Sequence, residues 1–174
     1  MSSSPPESQP LRVAILTVSD AASRGQRTDE TGPTLKRLVE ASGMQVVAAE
    51  VVADERDDIA SRITRLADEA EVIFTCGGTG LGPRDVTPEA TLEVIRYQVP
   101  GLAEALRAAG LPHTPYAMLS RAVAGVIGST LVINLPGSPK AVQEQYPVVA
   151  PVLAHAVALL HGHTEHKPDE KRPA

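Results

Sequence analysis

The sequence predicts an α/β fold, a three-layer sandwich in which helices cover both faces of a mostly parallel central sheet. Short apolar runs rich in β-branched residues, such as RVAILTV at 12–18, lack the alternation of a half-exposed strand and suit strands covered on both faces. The segments between these runs carry apolar residues at helical spacing, and the clearest runs end in polar or glycine segments. Strands alternating with helices in this way imply right-handed crossovers, and ligands of such sheets bind at the carboxyl ends of the strands.

The run at 12–18 is the expected central strand. A helix is expected over about Gly32 to Ser42, with Pro33 in its first turn, Leu35, Leu38 and Val39 on one face, and Gly43 to end it. A second strand follows at Gln45 to Val52. Asp57 or Asp58 can cap a helix reaching about Ala70, in which Ile59, Ile63 and Leu66 share a face. Val72 to Thr75 is the third strand. Thr87-Pro88-Glu89 places a capping hydroxyl, a first-turn proline and an acid in order, which predicts helices at about 88–97 and 101–109. Thr114-Pro115 repeats the start signal. Thr130 to Leu135 is the fourth buried strand, and Ser138-Pro139 opens a further helix. The stretch Pro147 to Leu160 is apolar nearly all round, so the last helix is expected to be buried or to form a subunit contact.

At roughly 100 to 200 residues per domain, 174 residues point to a single domain. Residues 1–10 are rich in Ser and Pro and 162–174 are polar, so both read as tails around a folded body at 11–161. With 16 Lys and Arg against 21 Asp and Glu, the net charge of −5 argues against a general grip on nucleic acid. One Phe, three Tyr and no Trp leave little for a base-stacking platform. No apolar run approaches the roughly 18 residues that span a bilayer, and the start shows no secretory pattern. A single cysteine, Cys76, excludes an internal disulfide and fits a reducing compartment, so a soluble cytoplasmic protein is expected.

Four strand-end segments are candidates for one site: Ser19-Asp20, Ala53-Asp54, Gly77-Gly78-Thr79-Gly80 and Pro136-Gly137-Ser138. The stretch TCGGTGLGPRDVT, from Thr75 to Thr87, joins a buried strand to a helix through four glycines, whose N–H groups can cradle a phosphate. Its spacing is neither the dinucleotide fingerprint nor the P-loop, which removes the main support for a nicotinamide enzyme. Asp20, Asp54 and Asp85 follow different strands and together can converge on a hydrated Mg²⁺ that bridges phosphate oxygens; singly, each reads as a cap or surface acid. Ser19, Thr79 and Ser138 can donate hydroxyl hydrogens to phosphate or merely cap turns. Lys140 sits where it can neutralise a polyphosphate, and Arg121 is either a second anion clamp or a solvated helix-face arginine. Cys76 reads as a structural thiol, and His161, His163 and His166 as a solvated cluster.

CGGTGLGPRDVTPEAT, with TVSDAASRG near the start and INLPGSPKAV near the end, resembles the MogA/MoaB family of molybdenum cofactor biosynthesis over about Leu11 to Leu160. The resemblance implies a MogA/MoaB-like three-layer fold, a homotrimer, molybdopterin binding and, in active members, adenylylation of molybdopterin by Mg-ATP with release of pyrophosphate. It places the two functional aspartates, catalytic and metal-binding, on Asp54 and Asp85. Ser19, Asp20, Gly77, Gly78, Thr79, Gly80, Pro136, Gly137, Ser138 and Lys140 become the substrate- and nucleotide-binding set. Both aspartates and RDVTPEAT are intact, which favours the active class, with a molybdenum insertase as a possible partner. The alternative is a non-catalytic molybdopterin carrier or scaffold.

Overall fold

A computed structural model describes residues 9–163. The expectations for residues 1–8 and 164–174, and for His166 among them, lie outside the described residues. The strands are β1 (Arg12–Val18), β2 (Gln45–Val52), β3 (Val72–Cys76), β4 (Tyr97–Gln98), β5 (Ala124–Ile127) and β6 (Thr130–Leu135). The helices are α1 (Asp20–Ser23), α2 (Thr31–Ala41), α3 (Arg56–Leu66), α4 (Thr87–Val94), α5 (Pro100–Gly110) and α6 (Pro139–Leu160), with a 3-10 turn at Pro115–Leu119.

The sheet order is β2-β1-β3-β6-β5-β4. Strands β2, β1, β3 and β6 are mutually parallel, while β5 runs antiparallel to both β6 and β4. Alternate residues of the central strands feed two separate cores, which explains why their sequences are apolar throughout rather than alternating. Val13, Ile15, Val72, Phe74, Leu131 and Ile133 pack with Leu35 and Val39 of α2, Leu106 of α5, and Val142, Tyr146, Val149, Leu153 and Val157 of α6. On the other face Ala14, Leu16, Ile73 and Val132 pack with Ile59, Ile63 and Leu66 of α3 and Ala90 of α4. At about 1.5–3 kcal/mol for each large aliphatic side chain removed from water, these two layers hold the strand ends in place. One buried polar knot lies on the α3/α4 side of the sheet. Asn134 donates to Thr75 Oγ1 (2.8 Å) and Thr91 Oγ1 (3.0 Å) and accepts from Val123 N (3.1 Å), so β3, β6 and α4 are tied with every amide group partnered.

Two strands at one edge, β4 and β5, and the short α1 are additions to the sequence expectation. The helix expected to reach about residue 97 ends at Val94, because Ile95 turns extended and Arg96 N bonds Val126 O (2.7 Å) on entry to β4. The helix opened at Ser138-Pro139 runs unbroken to Leu160 despite Pro147 and Pro151 inside it. Both prolines lie on the exposed side, where the carbonyls deprived of a donor can reach water. That helix buries one face only: Val148, Val152 and Leu159 stay 42%, 45% and 42% exposed.

Candidate active site

The chain leaves β1 for β2 on one side and returns to β3 on the other, so the order of connection reverses at the carboxyl ends of β1 and β3. Such a switch point opens a crevice. Here the crevice is a cavity of about 430 Å³ lined by, among others, Ser19, Asp29, Asp54, Gly77, Gly78, Asp85 and Gly137. A larger cavity of about 930 Å³ lies at the amino ends of β1 and β2, beside Leu11, Met44 and Pro151, and no charged side chain lines it.

Glycine is required at the crevice floor because three backbones touch there. A Cβ on Gly77 (φ 105°) would lie 2.5 Å from Val18 O, and one on Gly137 would lie 3.1 Å from Gly77 Cα. Gly77 N donates to Leu135 O (3.1 Å), so Gly77 shapes the floor rather than offering its N–H to a ligand. The N–H groups of Gly78, Thr79 and Gly80 have no protein acceptor among the described residues. Thr87 does not cap α4 through its side chain; its hydroxyl donates to Gly77 O (2.8 Å) and its N–H to Gly78 O (3.1 Å), pinning the loop to the helix that follows.

The carboxylates form an unequal set. Asp20 N donates to Asp54 Oδ2 (2.8 Å) and Asp54 N to Asp20 Oδ1 (3.1 Å), a reciprocal clasp between the ends of β1 and β2. Arg84 closes on Asp20 with two bonds (3.0 and 3.1 Å) and reaches Glu55 (2.7 Å). The bond from Arg84 holds the Asp20 carboxyl below its usual range. Burial pushes Asp54 the opposite way, with the negative charges of Asp20 and Asp85 adding to the rise. Asp85 Oδ2 accepts Gly82 N (3.0 Å), and a Cβ on Gly80 would sit 2.8 Å from that oxygen.

Six of the sequence-predicted residues therefore meet at one cavity: Ser19, Asp54, Gly77, Gly78, Asp85 and Gly137. Thr79, Gly80 and Pro136 line a second cavity of about 360 Å³ across the glycine loop, with Leu81, Tyr116 and Leu119. Asp20, Ser138 and Lys140 line neither. Ser19 Oγ and Ser138 Oγ accept from Ala22 N and Ala141 N (3.2 Å each), capping α1 and α6 while their hydroxyl hydrogens remain available. Lys140 is 84% exposed, 3.9 Å from Glu144. Arg121 does not stand free as an anion clamp, since its guanidinium is bonded to backbone carbonyls and to Glu89. Cys76 is fully buried, which drives its thiol far above its ordinary range and makes it structural. Sequence reasoning missed Asp29, which accepts from Thr17 Oγ1 (2.8 Å) and from Thr31 N and Gly32 N (3.0 Å each); its signal was an acid two residues before a helix start.

Among the described residues no group of three or more His, Cys, Asp or Glu is arranged to hold a metal ion. Mg²⁺ needs only one or two protein carboxylates, with water and substrate phosphate completing its shell, so the pair Asp54 and Asp85 is compatible with it. The cavity wall carries Asp29, Glu30, Asp54 and Asp85 against Arg27, an excess of carboxylates in which burial pushes the Asp54 carboxyl up.

The chain belongs to the family described as "Probable molybdopterin binding domain", whose profile matches residues 14–155. It is 37% identical over 158 residues to the molybdopterin adenylyltransferase of Helicobacter pylori, covering 88% of this chain and 90% of that protein. It is 39% identical over 153 residues to the molybdenum cofactor synthesis protein cinnamon of Drosophila melanogaster, covering 86% of this chain but 26% of that longer protein. The fold is of the MogA/MoaB type: the structure of the molybdopterin biosynthesis enzyme MoaB from Thermus thermophilus superposes with a TM-score of 0.82 at 49% identity, over 87% of this chain and 97% of that one.

Proposed function

We propose that this protein is a molybdopterin adenylyltransferase acting in molybdenum cofactor biosynthesis, with Mg-ATP as the adenylyl donor. The observation that carries the reading is the meeting of Asp54 and Asp85, from different strand ends, beside a glycine floor at the switch point. The relatives' names support the reaction class.

In this reading a terminal phosphate oxygen of molybdopterin attacks the α-phosphorus of ATP. The new P–O bond forms as the bond to the bridging oxygen breaks, and pyrophosphate leaves with the electron pair. The chain contributes position and charge more than covalent chemistry. The N–H groups of Gly78, Thr79 and Gly80 and the hydroxyls of Ser19 and Ser138 hold phosphate oxygens, while Gly77, Pro136 and Gly137 let the strand ends approach. Asp54 and Asp85 would hold Mg²⁺, which when bound would neutralise charge on the triphosphate. Asp20 positions Asp54 through the clasp, and Lys140, exposed at the start of α6, would neutralise the polyphosphate.

A homotrimer belongs to the same proposal, supported by the exposed apolar residues of α6; a monomeric mass in light scattering would exclude it. So do a cytoplasmic location, where ATP is plentiful, and delivery of the product to a molybdenum insertase. No helix among the described residues is long and apolar enough to cross a membrane. The test is to mix purified protein with molybdopterin and Mg-ATP and to measure pyrophosphate against a protein-free control, with an active homologue in parallel. Stoichiometric pterin binding without release of pyrophosphate would leave the carrier reading in its place.

A further inference from the structure

We propose that Arg121 is the positioning residue that sets Asp85 for the reaction; this rests on the role given to Asp85 above. Arg121 lies in the connection between the 3-10 turn and β5, 36 residues from Asp85 in sequence. Four of its groups converge on the glycine loop and the helix after it. Its backbone N–H donates to Thr79 O (2.9 Å), Nε to Gly80 O (2.8 Å) and Nη2 to Asp85 O (2.6 Å), and Nη1 pairs with Glu89 in the first turn of α4. One side chain thus fastens both ends of the segment between Gly80 and Asp85.

Besides Arg121, the segment is tied to the body through the exposed side chain of Arg84, which bonds Asp20 and Glu55. Leu81, Gly82, Pro83 and Arg84 are all exposed, so no core burial fixes their path. The bonds from Gly82 N to Asp85 Oδ2 and from Asp85 N to Gly82 O (3.0 Å each) lie within the loop and cannot anchor it to the body. The other half of the loop is fastened differently, by Gly77 N to Leu135 O and by Thr87 to Gly77 O and Gly78 O. Arg121 is therefore the group from the body that bonds the Asp85 backbone itself, with Arg84 tethering the loop beside it, and Thr87 holds the half that carries the phosphate floor. The planar guanidinium suits this task because its donors point along several fixed directions at once; an ammonium is a single point that cannot bridge two carbonyls and a carboxylate together. Each of the three guanidinium nitrogens already bonds a protein group, so Arg121 acts through Asp85 rather than on substrate.

The test is a double-mutant cycle on the full chain, reading kcat from pyrophosphate release, molybdopterin affinity by titration, and Tm. Arg121→Lys is expected to lower kcat by about 10²-fold, the scale of a reacting group misplaced by about an ångström, with molybdopterin Kd within about 2-fold of wild type. In an Asp85→Asn background the same change is expected to cost nothing further, because groups acting as one unit are not additive. Multiplying losses in the double variant, an unchanged kcat in Arg121→Lys, or a Kd that weakens in step with kcat would each overturn the proposal. If Arg121→Lys does not fold, Glu89→Gln loosens the same guanidinium; a roughly 10-fold loss of kcat that vanishes in the Asp85→Asn background supports the proposal, and an unchanged kcat overturns it. Near-normal turnover in Asp85→Asn alone would remove the underlying reading of Asp85, and the proposal with it.

Discussion

Gly78 is where the geometry of the crevice can be tested against stability most directly. Its φ is 66°, and a Cβ built there overlaps Thr87 Oγ1 and comes within 3.1 Å of Asp54 Oδ1. Thr87 is completely buried, and its hydroxyl is committed to Gly77 O at 2.8 Å, so it cannot swing aside freely. Gly78→Ala therefore combines the left-handed penalty of an L-residue, about 1 kcal/mol, with a disrupted buried hydrogen bond, about 1–3 kcal/mol. The sum is about 3 kcal/mol, or a Tm lower by about 6–12 °C for a domain of this size. Gly43→Ala is the control: its φ is 79°, but nothing lies within 4 Å of the new methyl. It should show only the conformational part, about 1 kcal/mol and 2–4 °C. Calorimetric and urea melts of both variants beside wild type measure the difference. Equal shifts for the two would refute the crowding at Gly78, and with it the claim that this loop must be glycine for contact as well as for torsion.

Two further outcomes concern the carboxylates. Asp85→Asn keeps shape and removes charge, so turnover should fall by at least about 10²-fold while pterin affinity and Tm stay near wild type; a normal rate would remove Asp85 from the mechanism. Asp54→Asn should raise the Tm at pH 7 and abolish turnover. Burial lifts the folded carboxyl of Asp54 above its ordinary value of 3.8, so the native state holds the proton more tightly than the unfolded chain. Wild-type stability from this group is then present below that value and is lost as pH rises through the folded pKa. The Tm advantage of Asp54→Asn should shrink as pH is lowered towards 4, and an advantage independent of pH would show that ionisation is not its source.

The three inner parallel strands, β1, β3 and β6, were legible because each is covered on both faces and reads as a nearly continuous apolar run, whereas β2, at the sheet edge, is half-exposed and interrupted by Glu50. Asp54 and Asp85 were legible by position, as acids after strand ends in a fold that gathers its strand ends. The edge was not. β5 is a four-residue strand and β4 a two-residue one, and their pairing depends on contacts such as Val99 N to Ala124 O (2.8 Å) that no local pattern announces. Arg84 and Arg121 were opaque for the same reason. Their partners Asp20 and Asp85 lie 64 and 36 residues away in the chain, and an arginine committed to loop carbonyls carries the same sequence signature as a solvated one. The hydroxyl of Thr87 was readable as a helix cap from its Pro-Glu neighbours, yet the fold spends it on Gly77 O, because the preceding glycine turn brings that carbonyl within reach.

Asp20 and Asp54 show how one clasp yields two different carboxylates. Each accepts the other's backbone N–H, so local hydrogen bonding alone does not separate them. The difference lies in what else each meets: Arg84 binds Asp20 directly, whereas Asp54 is desolvated and feels Asp85 and Asp20 as like charges. A chain optimised only for stability would neutralise Asp54 or replace it. Retaining a carboxyl in a desolvated crevice makes physical sense where a cation arrives with the substrate, since the cation then recovers in binding what burial of the charge costs in folding. The Arg84–Asp20 pair, half-exposed on the arginine side, adds little to stability by itself. Its consequence is that Asp20 holds Asp54 by the backbone while its own charge is paired with Arg84, so in the proposed reading Asp54 and Asp85, rather than Asp20, meet that cation.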